Sequence, residues 1–303
     1  MHNIFVRPVS YSVEYLEIEK CRPFIDNEQE KLMLQVVNKS VPYDDWTFFD
    51  ESYHATGVDN TLLRPIFANF KRRFQSHLEN SILNNITGFD SFARTDICLG
   101  CAQYIDNLHI KHDVQILEYE YNYHKRLNPT LVPKTLDTLE ANKHLIISLP
   151  FCALGKTHPE MQLILDKCLE INSPVHIDGA WITAARNINI DLSHPAIKSF
   201  SVSMSKGYGL SAWNRIGLRW TKDIQEDSIT VLNDFAQINT YSVVIGNYFL
   251  QQLETDHLWK IHGDKYFKIC NDFGLTPSDT IHMATKDGKI LGVAPLLRYL
   301  ENV

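Results

Sequence analysis

Long hydrophobic runs are missing from this chain. No stretch reaches the roughly 18 apolar residues of a membrane-spanning helix, and the longest, His144–Leu154, has the length of a strand. No membrane partner is expected. Cysteine is scarce: Cys21, Cys98, Cys101, Cys152, Cys168 and Cys270 are spread over 303 residues without the spacing of a disulfide framework. Cys98 and Cys101 form a single CxxC with no second pair, so reduced and mostly buried thiols are expected. The 13 histidines include no HExxH, and His109 and His112 lack further ligands at zinc spacing, so no metal site is expected. Excess positive charge is missing too. Lys+Arg 29 against Asp+Glu 36 leaves a net charge of −7, which argues against a nucleic-acid partner. Met1–Ser10 lacks the apolar region of a signal peptide, and a cytoplasmic protein is expected. Repeats and low-complexity tracts are also absent.

What remains is ordinary globular composition, 44% hydrophobic and 21% charged. The middle of the chain alternates strand and helix signals. Asp113–Tyr121 alternates apolar and polar residues; His144–Phe151 is a short apolar run ended by a breaker. Thr157–Ile171 reads as a helix with Thr157 as N-cap and Pro159 in its first turn. Pro174–Ala180, Ser199–Ser205 and Arg215–Thr221 read as strands. Strands separated by helices predict an α/β fold: a three-layer, mainly parallel (mixed) sheet with helices on both faces. Asp59–Glu79 reads as a long helix, and the last 50 or so residues as helix, strand and helix. The expected division is an irregular N-terminal segment at 1–45, a large domain at 46–245 and a small domain at 246–303.

Parallel sheets place ligands at the carboxyl ends of their strands. Asp178 stands near the end of one predicted strand, Lys206 ends another, and Gly100 and Cys101 open a helix after a third. Tyr121 ends a fourth, and Arg215 begins the strand after Lys206. Singly each has an ordinary explanation: a solvated lysine, a capping aspartate, a surface arginine. Lys206, however, sits in Ser203-Met204-Ser205-Lys206-Gly207-Tyr208-Gly209-Leu210, where small polar residues and glycines suit a tight turn better than a surface loop.

Taken together, Asp178, the Ser-x-Ser-Lys-x-x-Gly-Leu run at Lys206 and Arg215-Ile216-Gly217 resemble the pyridoxal-phosphate enzymes of the aspartate aminotransferase superfamily (fold type I), most strongly over residues 144–221. The resemblance implies an aminotransferase-like large domain, a reduced small domain and pyridoxal 5'-phosphate as cofactor. It implies Lys206 as the Schiff-base lysine, since only a primary amine can form and exchange the imine. Asp178 then pairs with the pyridinium nitrogen, and Arg215 and Ser203 hold the phosphate. Leu99-Gly100-Cys101 is similar to the family's phosphate-binding turn at a helix N-terminus. Tyr121 falls where an aromatic stacks on the ring, although Tyr119 or Tyr123 could serve instead. Tyr53-His54-Ala55-Thr56-Gly57 and then Leu63-Arg64 are similar to a segment whose tyrosine reaches the phosphate of the neighbouring subunit, which implies a homodimer with shared sites.

The chain departs from the family in several places. Cys152 stands where an asparagine usually donates to the cofactor's phenolic oxygen, and Trp181 stands where a tyrosine usually follows the aspartate. The spacing from Lys206 to Arg215 is one residue longer than usual. Little chain follows Arg215, and Arg298 lies roughly where the family's substrate-carboxylate arginine would fall, though a helix-surface arginine explains it as well. The functions in competition are an aminotransferase acting on a small amino acid or amine, a decarboxylase, lyase/aldolase or racemase using the same cofactor, and a non-catalytic homologue. The run His176-Ile177-Asp178-Gly179-Ala180-Trp181 resembles that of pyridoxal decarboxylases, while the Ser-Lys context of Lys206 does not.

Overall fold

The computed structural model describes residues 25–37, 64–210 and 214–301. The strands in chain order are β1 (Asn85–Thr87), β2 (Arg94–Cys98), β3 (Val114–Ile116), β4 (His144–Ser148), β5 (Val175–Gly179), β6 (Asn189–Asp191), β7 (Ile197–Ser203), β8 (Gly217–Thr221), β9 (Thr276–Pro277), β10 (Met283–Lys286) and β11 (Lys289–Gly292). The helices are α1 (Asn27–Val37), α2 (Arg64–Glu79), α3 (Cys101–Lys111), α4 (Tyr123–Leu127), α5 (Met161–Glu170), α6 (Met204–Gly207), α7 (Ser228–Asp234), α8 (Thr240–Gln252), α9 (His257–Asp272) and α10 (Ala294–Glu301). The central sheet has the order β2-β8-β7-β5-β4-β3. The pairs β3–β4, β4–β5 and β5–β7 are parallel, and β8 runs against both of its neighbours. This is the mixed, mainly parallel sheet that the strand–helix alternation predicts.

Alternation along the strands gives the sheet two unlike faces. Leu145, Ile147, Ile177, Phe200, Val202, Leu218, Trp220 and Ile97 lie on one and belong to the main buried core. Helix α2 meets this core with Ile66, Phe67, Phe70, Phe74 and Leu78, an apolar stripe at helical spacing. Helix α8 lies against α2 so closely that a Cβ on Gly246 would come within 2.7 Å of the Phe70 ring. The opposite face carries aligned polar rows: Ser148, Asp178, Ser201, Arg219 and Asp96 in register, beside His176 and Ser199. Helix α3 covers these rows, with Tyr104 Oη 3.5 Å from His176 Nδ1. A second buried cluster forms from α9, α10 and the C-terminal strands, including Trp259, Tyr266, Ile281, Val293 and Leu297. The division at residue 246 falls inside α8.

Several elements differ from the sequence expectation. The strand expected over Asp113–Tyr121 stops at Ile116, and Tyr119 takes a left-handed φ of 65°. At this turn Glu120 reaches across to Ser148 at the end of β4. The helix expected from Thr157 starts at Met161; Thr157 does not cap it, and the turn before it is held by Met161 N–H donating to the His158 carbonyl. The strand expected to run to Ser205 ends at Ser203, so Lys206 sits in the single turn of α6 rather than at the strand end. Arg215 precedes β8 instead of opening it. Within the segment expected to be irregular, Asn27–Val37 is helical. The described cysteines are free thiols, and no described helix is long and apolar enough to cross a membrane. Among the described residues no cluster of His, Cys, Asp or Glu could hold a metal ion.

Candidate active site

Because β2, β3, β4, β5 and β7 run the same way, their carboxyl ends share one edge of the sheet. The antiparallel β8 brings its amino end to the same edge. The segments at Gly100, Tyr121, Cys152, Asp178, Ser203–Lys206 and Arg215 therefore converge by topology alone.

Gly100 precedes α3 with φ 78° and ψ 177°, and no side chain caps that helix. A Cβ at Gly100 would meet Ser203 Oγ at 2.9 Å and lie 3.9 Å from Arg215 Nη2. The glycine, the hydroxyl and the guanidinium thus surround one small space at a helix N-terminus, a combination of donors that suits an anion. Ser203 Oγ also accepts from Ser205 N–H at 3.1 Å, capping the turn that carries Lys206. The side chain of Cys101 points away from this cradle. It is buried beside Asp178 and Ser201, and burial pushes its thiol far up, so only its backbone can face an anion there.

Asp178 is 6% exposed and accepts from Ala180 N–H at 3.0 Å. Burial raises its carboxyl above the ordinary range, although the Cys101 side chain, the Ala180 N–H and the Lys206 charge pull the other way. Lys206 Nζ lies 4.5 Å from the centre of the Trp181 ring, and the His282 ring centre is 5.3 Å from that of Trp181. Tyr121 is half exposed. Burial raises its hydroxyl, as does the Asp178 charge, while the Arg215 charge lowers it. Its ring packs on Tyr123 at 5.8 Å.

Cys152 occupies the turn after β4. Its Sγ–H donates to the Tyr119 carbonyl at 3.1 Å, and burial with the neighbouring Glu120 holds the thiol protonated. Arg298, on α10, donates to the Ile25 carbonyl at 3.2 Å. Tyr53 lies outside the described residues. A cavity of about 250 Å³ abuts the cradle, lined by Leu99, Arg215, Ile216, Ile238 and Asn239 among others. A larger cavity of about 440 Å³ lies off the edge, beyond Tyr119 and Ala153.

Two residues escaped the sequence reading. Glu120 is 8% exposed and accepts from Ser148 N–H (2.8 Å), Ser148 Oγ–H (2.6 Å) and Tyr121 N–H (2.7 Å). The only signal for it is a lone carboxylate between two tyrosines, which alternation hides in a strand. Asn214, beside Arg215, is 1% exposed, and neither atom of its amide has a partner among the described residues. A buried amide left in that state is costly and points to a missing ligand group.

No protein-family model and no curated protein matches the sequence. Solved structures do. The chain is similar to a PLP-bound C–S lyase from Staphylococcus hominis, at 12% identity and TM-score 0.57, over 86% of this chain and 72% of that one. It is similar to an aspartate aminotransferase from Thermotoga maritima at 11% identity and TM-score 0.55, over 87% and 74% of the two chains. An alanine aminotransferase from Pyrococcus furiosus matches at 12% identity and TM-score 0.56, over 86% and 72%. The chain has the fold of the fold type I pyridoxal-phosphate enzymes.

Proposed function

We propose that the protein is a pyridoxal-phosphate-dependent enzyme that attaches the cofactor covalently through Lys206 and acts as an aminotransferase on a small amino acid or amine. The observation that carries this reading is the convergence of Lys206, Asp178 and the Gly100–Ser203–Arg215 cradle on one sheet edge. The residues present fit the group: an anion cradle that a Cβ would fill, a buried carboxylate and an orphaned amide at Asn214. When bound, pyridoxal phosphate supplies the electron sink for the carbanion left when a bond to the substrate Cα breaks.

The chain's own residues divide the remaining work. The Gly100 turn, Ser203 and Arg215 bind the phosphate. Asp178 sits buried, where an anion is poorly solvated and gains most from a cationic ring nitrogen. Tyr121 covers one face of the ring. Lys206 supplies the attached amine and moves the proton at the substrate Cα. Trp181 stands beside Lys206 and donates through its indole N–H only; it cannot accept a proton. A homodimer, with Tyr53 reaching the neighbouring site, and a cytoplasmic location complete the reading.

The test is an absorbance spectrum of purified protein with added pyridoxal phosphate, then borohydride reduction and peptide mapping. A cofactor-sized adduct on Lys206 is expected, and Lys206→Ala should lose it entirely. Retention of the adduct in that variant overturns the assignment. Conversion of an amino donor to its keto acid, with pyridoxamine phosphate left behind, separates transamination from decarboxylation or C–S cleavage. A monomer by light scattering overturns the shared site.

A further inference from the structure

Cys152 cannot replace the asparagine whose place it takes. Its hydrogen is directed to the Tyr119 carbonyl, and its surroundings keep the thiol protonated, so it is neither a free donor nor a nucleophile. Behind it stands Glu120. The Cys152 backbone N–H donates to Ser148 Oγ at 2.9 Å, Ser148 Oγ–H donates to Glu120 Oε1 at 2.6 Å, and the same Oε1 accepts from Tyr121 N–H at 2.7 Å. The other oxygen, Oε2, accepts from Ser148 N–H at 2.8 Å. One buried carboxylate thus ties together the end of β4, the turn of Cys152 and the backbone of the ring-covering Tyr121.

We propose that Glu120 is a positioning residue for the cofactor site, fixing the Cys152–Tyr121 wall and placing a negative charge behind it. The proposal rests on the reading above. Burial raises the Glu120 carboxyl above the ordinary range while the Ser148 and Tyr121 donors pull it down, and with those three donors aimed at it Glu120 serves as an acceptor. Asp178 and the Cys152 thiol are the titratable groups that face it; Asp178 is buried and Cys152 is half-buried. A glutamine of the same shape would turn an amide N–H toward the Ser148 N–H, and one bond would become a clash of donors. The charge also has a consequence at a distance: it favours retention of a proton on the lysine-bound cofactor.

The experiment is a pH titration of the visible absorbance band of lysine-bound cofactor, paired with the rate of Cys152 alkylation measured before cofactor is added. In Glu120→Gln the midpoint of the band should fall by about one pH unit, the scale of a charge removed from a poorly solvated site. Cys152 should alkylate about tenfold faster, because its thiol loses a neighbouring anion. Ser148→Ala keeps the charge and cuts the link to Cys152; it should leave the midpoint in place and still speed alkylation. That variant carries the test if Glu120→Gln does not fold. A band with an unchanged midpoint and unchanged alkylation in Glu120→Gln overturns the proposal and leaves the proposed function standing. Absence of any band in the wild-type protein overturns the function, and the role of Glu120 falls with it.

Discussion

On one face of the central sheet, Phe200, Val202, Leu218 and Trp220 share a buried apolar cluster with the phenylalanines of α2, and Trp220 Nε1 donating to Gln75 Oε1 at 3.1 Å adds a polar contact to that helix. On the other, Arg219 is fully buried between Asp96 (3.1 Å), Asp227 (2.5 Å) and Thr230 (2.8 Å). Beside it His144 Nδ1 meets His176 Nε2 at 2.8 Å, and His176 Nδ1 meets Ser199 Oγ at 2.7 Å. The apolar face draws its stability from burial, which is non-directional and forgiving. The polar face depends on each partner being present, and replacing a buried ion pair with well-packed hydrocarbon is often neutral or stabilising. The expensive face is the one that ends at Asp178 and Ser203. The difference teaches that this sheet keeps its polar rows for what happens at the edge, and keeps its stability on the far side.

Removing one member of a buried ion group should hurt most. Arg219→Met should cost about 3–5 kcal/mol, because, among the described residues, buried Asp227 loses its only cation and Asp96 keeps only Arg94. Ile177→Leu on the opposite face should cost under about 1.5 kcal/mol. Urea unfolding of both variants measures the contrast, and equal losses would erase it. Gly100→Ala should come next, at about 1–3 kcal/mol, since it forces a side chain into a left-handed turn against Ser203. It should also weaken cofactor binding, read by equilibrium dialysis. Asn214→Leu should act in the other direction and stabilise the cofactor-free protein by about 1 kcal/mol, because a buried amide without partners is removed. The same variant should release cofactor more readily.

The smallest effect is one of pH. Burial holds His144 down to about 4, helped by the adjacent His112, and burial holds His176 well below its ordinary value. A histidine depressed in the folded state is protonated first in the unfolded chain. Its contribution is therefore intact above about pH 6.5 and is lost as the pH falls toward the folded value. Urea midpoints should decline between pH 6.5 and 4.5, and His144→Gln should flatten part of that decline. An equally steep decline in the variant assigns it elsewhere.

Much of this was legible in the chain. Asp178 stands near the end of β5, and Lys206 and Arg215 lie within three residues of the ends of β7 and β8, so apolar runs mark all three and the fold gathers them on one edge. The features that were not legible depend on contacts across long sequence separations. Glu120 is satisfied by Ser148, and no local pattern announces that pairing. Asn214 stands out only once burial is known. Thr157 has the right residue type for a cap, yet the turn at His158–Pro159 delays the helix past it.

The contacts of Asp26 give the molecule an order in time. Its carboxylate accepts from His257 Nε2 at 2.6 Å and pairs with His262 at 3.1 Å, both on α9, while Gln29 Nε2 donates to the carbonyl of Gly207 beside Lys206. Arg298 on α10 holds Ile25 in the same way. A ribosome makes residues 25–29 long before α9 and α10 exist. The segment next to the lysine must therefore wait for its partners while 231 residues to His257 and 273 residues to Arg298 are added, and its contacts close only when α9 and α10 have left the exit tunnel.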